Sequence, residues 1–167
     1  MDNRHRLLFL SPGHFHAALT LRAPNPRVAD DIVVYAPDGP ERRDFLALVD
    51  RMSRTRPRPW TVDVVTAADA LDALIAERRG DVVVLAGRNG GKARTMRRLH
   101  DAGFHVLADK PWLVRAADLD DVRASLAGPP LAAEIMTGRH DAGVQLLGQL
   151  VDDRAVFGGF RDDTPAL

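Results

Sequence analysis

The chain has 167 residues, with 23 Lys and Arg against 23 Asp and Glu, so its formal net charge is zero. At about 150 residues per domain the length fits one domain with a sizeable core, and the neutral balance gives no whole-chain field directing it to nucleic acid or a membrane surface. Cysteine is absent, which removes disulfides, thiol nucleophiles and thiolate metal sites together, and 46% hydrophobic residues are too many for a disordered chain. Of the 23 cationic residues 21 are arginine; the two lysines are Lys92 and Lys110.

The N-terminus, Met1-Asp2-Asn3-Arg4-His5-Arg6, is polar, and the apolar run Leu7-Leu8-Phe9-Leu10 is too short for a signal core or a membrane span. A soluble cytoplasmic protein is the expectation. Short β-branched apolar runs then alternate with stretches of helical period. The strand candidates are Leu7–Ser11, Asp31–Ala36, Thr61–Val65, Asp81–Ala86, His105–Asp109 and Leu131–Met136. Most are continuous, as in Ile32-Val33-Val34-Tyr35, which is the pattern of strands covered on both faces.

Between the strands, Phe45, Leu48, Val49 and Met52 recur at i, i+3, i+4 and i+7, with Pro40 placed to start that helix. The next helix places Leu71, Leu74, Ile75 and Arg78 on one stripe after an expected Thr66 N-cap. The following one carries Met96 and Leu99 and stops at Gly103, a good residue just past a helix end. Leu119, Val122 and Leu126 mark a further helix stopping at Gly128-Pro129-Pro130, and Val144, Leu147, Leu150 and Val151 mark the last. Six alternating βα units predict an α/β fold, a doubly wound parallel sheet of the Rossmann-like kind with helices on both faces and right-handed crossovers.

Two stretches interrupt the alternation. Arg54-Thr55-Arg56-Pro57-Arg58-Pro59 is a basic, proline-broken loop, expected to be solvated although it could touch phosphate. Residues 157–167 show no periodicity and read as a linker or frayed tail following a domain over 1–156.

In open α/β sheets, ligands bind outside the carboxyl ends of the strands, where the strand order reverses. The exit of the first strand, Ser11-Pro12-Gly13-His14-Phe15-His16, therefore carries the first site candidates. A dinucleotide fingerprint needs glycines where backbone approaches the pyrophosphate. Its slots here are Ser11, Gly13 and His16, so only the middle glycine is present, and a plain βα turn is the competing reading. His14 is the better placed of the two histidines to donate to phosphate. Asp38 lies 25 residues after Gly13, where an acidic residue would bind ribose hydroxyls, although Asp-Gly before a helix is also an ordinary turn. Facing the ribose, Asp38 would favour NAD, and Arg42 and Arg43 lie close enough to reverse that preference.

The richest segment runs from Asp81-Val82-Val83-Val84-Leu85-Ala86-Gly87-Arg88-Asn89 to Gly103-Phe104-His105-Val106-Leu107-Ala108-Asp109-Lys110-Pro111-Trp112. With Asp109-Lys110-Pro111 at a strand's carboxyl end, it resembles the glucose–fructose oxidoreductase / inositol dehydrogenase (Gfo/Idh/MocA) family of NAD(P)-dependent oxidoreductases. The opening Pro12-Gly13-His14-Phe15-His16-Ala17-Ala18-Leu19 looks like a branch of that family with a reduced glycine fingerprint, and the resemblance spans about residues 6–157.

The resemblance implies the N-terminal cofactor domain, NAD or NADP as cofactor, and a sugar-like or polyol substrate. It implies that Lys110 sits beside the nicotinamide, hydrogen-bonds the substrate hydroxyl and assists proton transfer as hydride leaves; lysine suits that role because its pKa moves on desolvation, whereas arginine stays charged. It further implies cofactor contacts from Ser11, Pro12, Gly13, His14, Phe15, Asp38, Asn89, Asp109 and Lys110. The histidine often found three residues after the family's asparagine is Lys92 here. Arg139 and His140, beyond the sixth strand, are candidates for the substrate side, with a helix start as the competing reading.

His100 and His105 read as a helix-surface and a strand-start residue. The histidines show no ligand spacing with a carboxylate, so no metal site is expected, and no Ser-His-Asp arrangement or receiver-type carboxylate cluster stands out. The resemblance implies that full-length members continue into a substrate domain with an Asp-x-x-x-His element, a pattern that does not occur in the last stretch of this sequence. The expectation is therefore either a truncated NAD(P)-dependent oxidoreductase or a stand-alone cofactor domain, with nothing in this chain to position a substrate against the nicotinamide. The alternative function is a non-catalytic nucleotide-binding or protein-interaction module. Expected partners are a dinucleotide and a small molecule, with no nucleic acid or membrane; an oligomer is possible.

Overall fold

The computed structural model describes residues 4–135, 138 and 141–158. Six parallel strands, β1 Leu7–Leu10, β2 Asp31–Tyr35, β3 Thr61–Val65, β4 Val82–Leu85, β5 His105–Ala108 and β6 Ala132–Glu134, form one sheet in the order β3-β2-β1-β4-β5-β6. The expected doubly wound Rossmann-like architecture is what the chain adopts. Leu8 stands opposite Val33 on one side and Val83 on the other, so β1 is central, and the strand order reverses between β1 and β4.

Continuous apolar strands are required because both faces of this sheet are covered. On one face Phe9, Ile32 and Val34 pack with Phe45 and Val49 of α2 (Pro40–Ser53); the Phe9 and Phe45 ring centroids are 4.9 Å apart. On the other, Leu8, Val33, Val83 and Val106 pack with Leu74 of α3 (Ala70–Glu77) and with Met96 and Leu99 of α4 (Lys92–Asp101). Truncating such a fully buried side chain costs about 2–5 kcal/mol. Strand β3 lies at the sheet edge and leaves Thr61 and Asp63 exposed.

Helix α1 (His16–Leu19) is one turn long, and α5 (Leu119–Ser125) follows a short 3-10 turn over Ala116–Asp118. Gly103 follows α4 with φ 82°, a left-handed conformation that favours glycine.

Several local expectations are corrected. Asp69 caps α3, its carboxylate accepting the Asp72 amide at 3.0 Å, because the helix begins at Ala70. Thr66 instead accepts a hydrogen bond from Arg42 at 2.7 Å. Arg78 ends α3 in the left-handed conformation, and its guanidinium donates to the Ala102 carbonyl at 2.5 Å. Leu126 is exposed, since α5 ends at Ser125. Arg56 is pinned rather than solvated: its guanidinium lies 3.8 Å from the Trp60 ring centroid and donates to Asp30 at 2.9 Å. His100 is buried, not on the surface.

The chain divides into two compact units, Met1–Ile135, which carries the sheet and α1–α5, and Met136–Leu167. The second contains α6 (Ala142–Asp152) and α7 (Arg154–Phe157); Asp141 caps α6 by accepting the Gly143 amide at 2.9 Å, and Val144, Leu146 and Leu147 are exposed.

Candidate cofactor cleft

The exits of β1 and β4 are laced together. The Gly13 and His14 amides both donate to the Ala86 carbonyl, at 3.2 and 2.9 Å. A Cβ on Gly87 would lie 2.6 Å from the Ser11 carbonyl oxygen, so only glycine permits this approach. Ser11 takes a left-handed φ of 42°, and its amide donates to the Tyr35 carbonyl of β2. Two amides that the fingerprint reading would turn towards a pyrophosphate are thus occupied within the protein. With α1 a single turn, it adds little helix dipole.

A cleft of about 660 Å³ opens beside this loop, lined among others by Ser11, Pro12, Asp38, Arg42, Gly87 and Arg88. Pro12 is buried, whereas Gly13 and Phe15 are exposed. Asp38 lies three residues beyond the end of β2, its carboxylate exposed and accepting from Arg42 at 2.5 Å and from its neighbour's amide, Gly39, at 2.9 Å. Arg42 also donates to the Ala36 carbonyl, so its guanidinium is fixed as a wall of the cleft, whereas Arg43 stands 3.6 Å from Asp38. Across the cleft Arg88 pairs with Glu41 at 3.0 Å, and a Cβ on Gly13 would lie 3.2 Å from Glu41 Oε2.

At the β5 exit the polar groups converge instead. The buried Asp109 carboxylate meets His16 Nδ1 at 2.9 Å and His14 Nδ1 at 3.2 Å, and accepts the Lys110 amide at 2.9 Å. Burial works to raise the Asp109 pKa, but the His16 hydrogen bond and charge together with the Lys110 amide and ammonium outweigh it, and the net shift is downward. His14 is lowered, first by desolvation, then by His16 and the two lysines, with Asp109 opposing. Phe15 stands edge-on to His16 with 4.4 Å between ring centroids.

Lys92, at the start of α4, is 2% exposed. Its Nζ donates to the Asp109 carbonyl at 2.8 Å and to Asn89 Oδ1 at 2.7 Å, while the rest of Asn89 faces solvent. Burial lowers its pKa, against the pull of Asp109 and with the help of Lys110. Lys110 itself is exposed. The sequence candidates thus separate into two groups: Ser11, Pro12 and Asp38 line the cleft, and His14, Asn89, Asp109 and Lys110 gather at the β5 exit. Arg139 and His140 lie outside the described residues.

Sequence reasoning missed the anchoring role of Lys92, the facing pair Glu41 and Arg88, the close approach at Gly87, and the meeting of His14, His16 and Asp109. A signal existed for Lys92, because it precedes Met96 and Leu99 by four and seven residues and so shares their buried helix face.

No family model matches the sequence, and no curated protein matches it. Among solved structures, a chain from Parabacteroides merdae, assigned to the oxidoreductases without a stated reaction, is 32% identical with a TM-score of 0.88, covering 98% of this chain and 38% of that one. The WlbA dehydrogenase of Chromobacterium violaceum, solved with NADH and UDP-GlcNAcA, is 21% identical with a TM-score of 0.64, covering 92% of this chain and 41% of its own. A scyllo-inositol dehydrogenase of Lactobacillus casei, solved with NAD(H) and scyllo-inositol, is 15% identical with a TM-score of 0.65, covering 91% and 42%. This chain spans about two fifths of the length of these structures. Among the described residues, no helix is long and apolar enough to cross a membrane.

Proposed function

The chain has the N-terminal Rossmann-like domain of the Gfo/Idh/MocA-type oxidoreductases, and on that premise we propose that it binds NAD or NADP in the cleft at the β1, β2 and β4 exits. The whole enzyme would transfer hydride between the nicotinamide and a hydroxyl or carbonyl of a sugar-like or polyol substrate. What carries this reading is the cleft of about 660 Å³ at the point where the strand order reverses, with Lys110 exposed at the neighbouring β5 exit. Two of the neighbours, solved with NAD(H) and a sugar nucleotide or an inositol, support it.

The residues present fit such a group in most respects. Ser11 and Pro12 with Gly87 form the floor, where a side chain at position 87 would block the approach of the two loops. Asp38 offers an exposed carboxylate to ribose hydroxyls. Since the Gly13 and His14 amides are engaged, Arg88 would meet the phosphates from within the cleft, and His14 and Phe15, which lie outside its lining, would meet them only where the ligand extends towards the β5 exit. That requires Glu41 to turn away from Gly13, releasing Arg88 from its carboxylate partner.

Bound NAD(P) supplies the hydride acceptor or donor. Lys110 Nζ is the group we assign to the substrate hydroxyl, holding it by hydrogen bond and taking or returning its proton. Asp109 turns Lys110 towards that place by accepting its amide, and Lys92 with Asn89 holds the same turn from behind. Arg139 and His140 are proposed for the substrate side. The cofactor domain is proposed to extend over 1–156, with 157–167 as its linker.

The test is titration of the chain with NADH and NADPH, following energy transfer from its tryptophans, among them Trp112 beside Lys110. Saturable quenching is expected with at least one of them. Lys110→Ala should retain that binding within a few-fold; a tenfold loss would place Lys110 among the main affinity contacts instead.

A further inference from the structure

His14, His16 and Asp109 each offer one donor atom, and the three atoms lie within 4.8 Å of one another. We propose that they form a binding site for a divalent transition-metal ion of the zinc class, two imidazoles and one carboxylate at the junction of the β1 and β5 exits. The dinucleotide reading assigns no metal there, and the proposal does not depend on it.

The donor geometry is suitable. Three ligands at about 2.0–2.2 Å from a tetrahedral ion stand roughly 3.3–3.6 Å apart. His14 Nδ1 is 3.2 Å from Asp109 Oδ2 and His16 Nδ1 is 2.9 Å from Asp109 Oδ1, both near that spacing, and one donor atom from each of the three residues lies within 4.8 Å of the others.

A second observation favours a cation at this point. His14 Nδ1 faces the Asp109 carboxylate across 3.2 Å, with the His16 backbone amide 3.4 Å from the same nitrogen. A proton or a metal ion between nitrogen and carboxylate would satisfy both.

The surroundings orient the ligands and leave access. The Lys110 amide fixes one Asp109 oxygen, and the Phe15 ring packs against both imidazoles, 4.6 Å from His14 and 4.4 Å from His16 by centroid. His16 and Asp109 are mostly buried, whereas the His14 side chain is 41% exposed, which gives an entry path and an open fourth position. Lys92 and Lys110 oppose a cation. Lys92 directs its ammonium to Asn89 and the Asp109 carbonyl, not to the carboxylate, and Lys110 is solvent-exposed, so solvent and salt weaken its field at the site without removing it.

The experiment uses the whole chain, freed of metal by chelator and dialysis. It is titrated with Zn²⁺ by calorimetry and with Co²⁺ by visible absorption, and its unfolding temperature is measured with and without Zn²⁺. One equivalent should bind, with a tetrahedral Co²⁺ spectrum and a higher unfolding temperature. His14→Ala removes a half-exposed ligand without opening the core, and should weaken binding at least tenfold while unfolding at the wild-type temperature in metal-free buffer. His5→Ala, at the distant His5–Asp81 pair, should bind like wild type. Absence of saturable uptake by the wild type, or equal uptake by His14→Ala, would overturn the site.

Discussion

Asp38 and Asp109 are both carboxylates beyond strand ends, yet they sit in opposite surroundings. Asp38 is 68% exposed and meets Arg42 and Arg43 through one oxygen, Oδ1, partners that it would trade for a ligand on the proposed reading. Asp109 is 5% exposed and is held by two histidines and the next amide, with Lys92 locking its carbonyl from behind. The difference teaches that one strand exit can stay adaptable while its neighbour is over-determined; on the proposed reading the first would choose a ligand and the second would hold Lys110 in one place.

Asp109→Ala should therefore do the most damage, roughly 3 kcal/mol of unfolding free energy in denaturant, since it strips partners from buried donors. The same carboxylate shapes the acid limb. Its folded pKa lies below the ordinary 3.8, so its contribution is present above that value and is lost as pH falls through the depressed one. Asp109→Asn should flatten stability against pH in that range; an unchanged acid limb would mean that Asp109 is no more constrained than Asp38.

Lys92→Met should cost less, about 1–3 kcal/mol, by leaving the Asp109 carbonyl without its donor. Because burial lowers the Lys92 pKa, the unfolded chain holds the proton more tightly in the window below 10.5, and wild-type stability should rise with pH there. The variant should lose that rise.

At the adaptable end the effects should appear in ligand choice. Asp38→Asn should weaken NADH several-fold more than NADPH while hardly moving the stability, as exposed ion pairs contribute little. Glu41→Gln should tighten dinucleotide binding by a few-fold, because it removes a negative charge poised beside Gly13. If both variants bind as wild type does, the cleft's charged rim does not meet the ligand.

Much of this was legible in the sequence because strand and helix periods are local. Ile32-Val33-Val34-Tyr35 could only be a strand covered on both sides, and Asp109-Lys110-Pro111 marked a strand exit. What escaped depends on distant residues meeting. Nothing near Lys92 in the sequence shows the Asp109 carbonyl it reaches, 17 residues on, and His14 and His16 meet a carboxylate more than 90 residues away. Likewise Arg56 read as solvated because Trp60 and Asp30 become its neighbours only on folding, and Thr66 read as a cap because the start of α3 is set by packing at Ala70 and Leu74.

The central claim is that the cleft beside Ser11 and Asp38 takes a nicotinamide dinucleotide. Its most direct test is a fluorescence titration of the chain with NADH and NADPH up to millimolar concentration. The account predicts saturable energy transfer with at least one of them, weakened by Asp38→Asn and strengthened by Glu41→Gln. No saturable signal with either would contradict it.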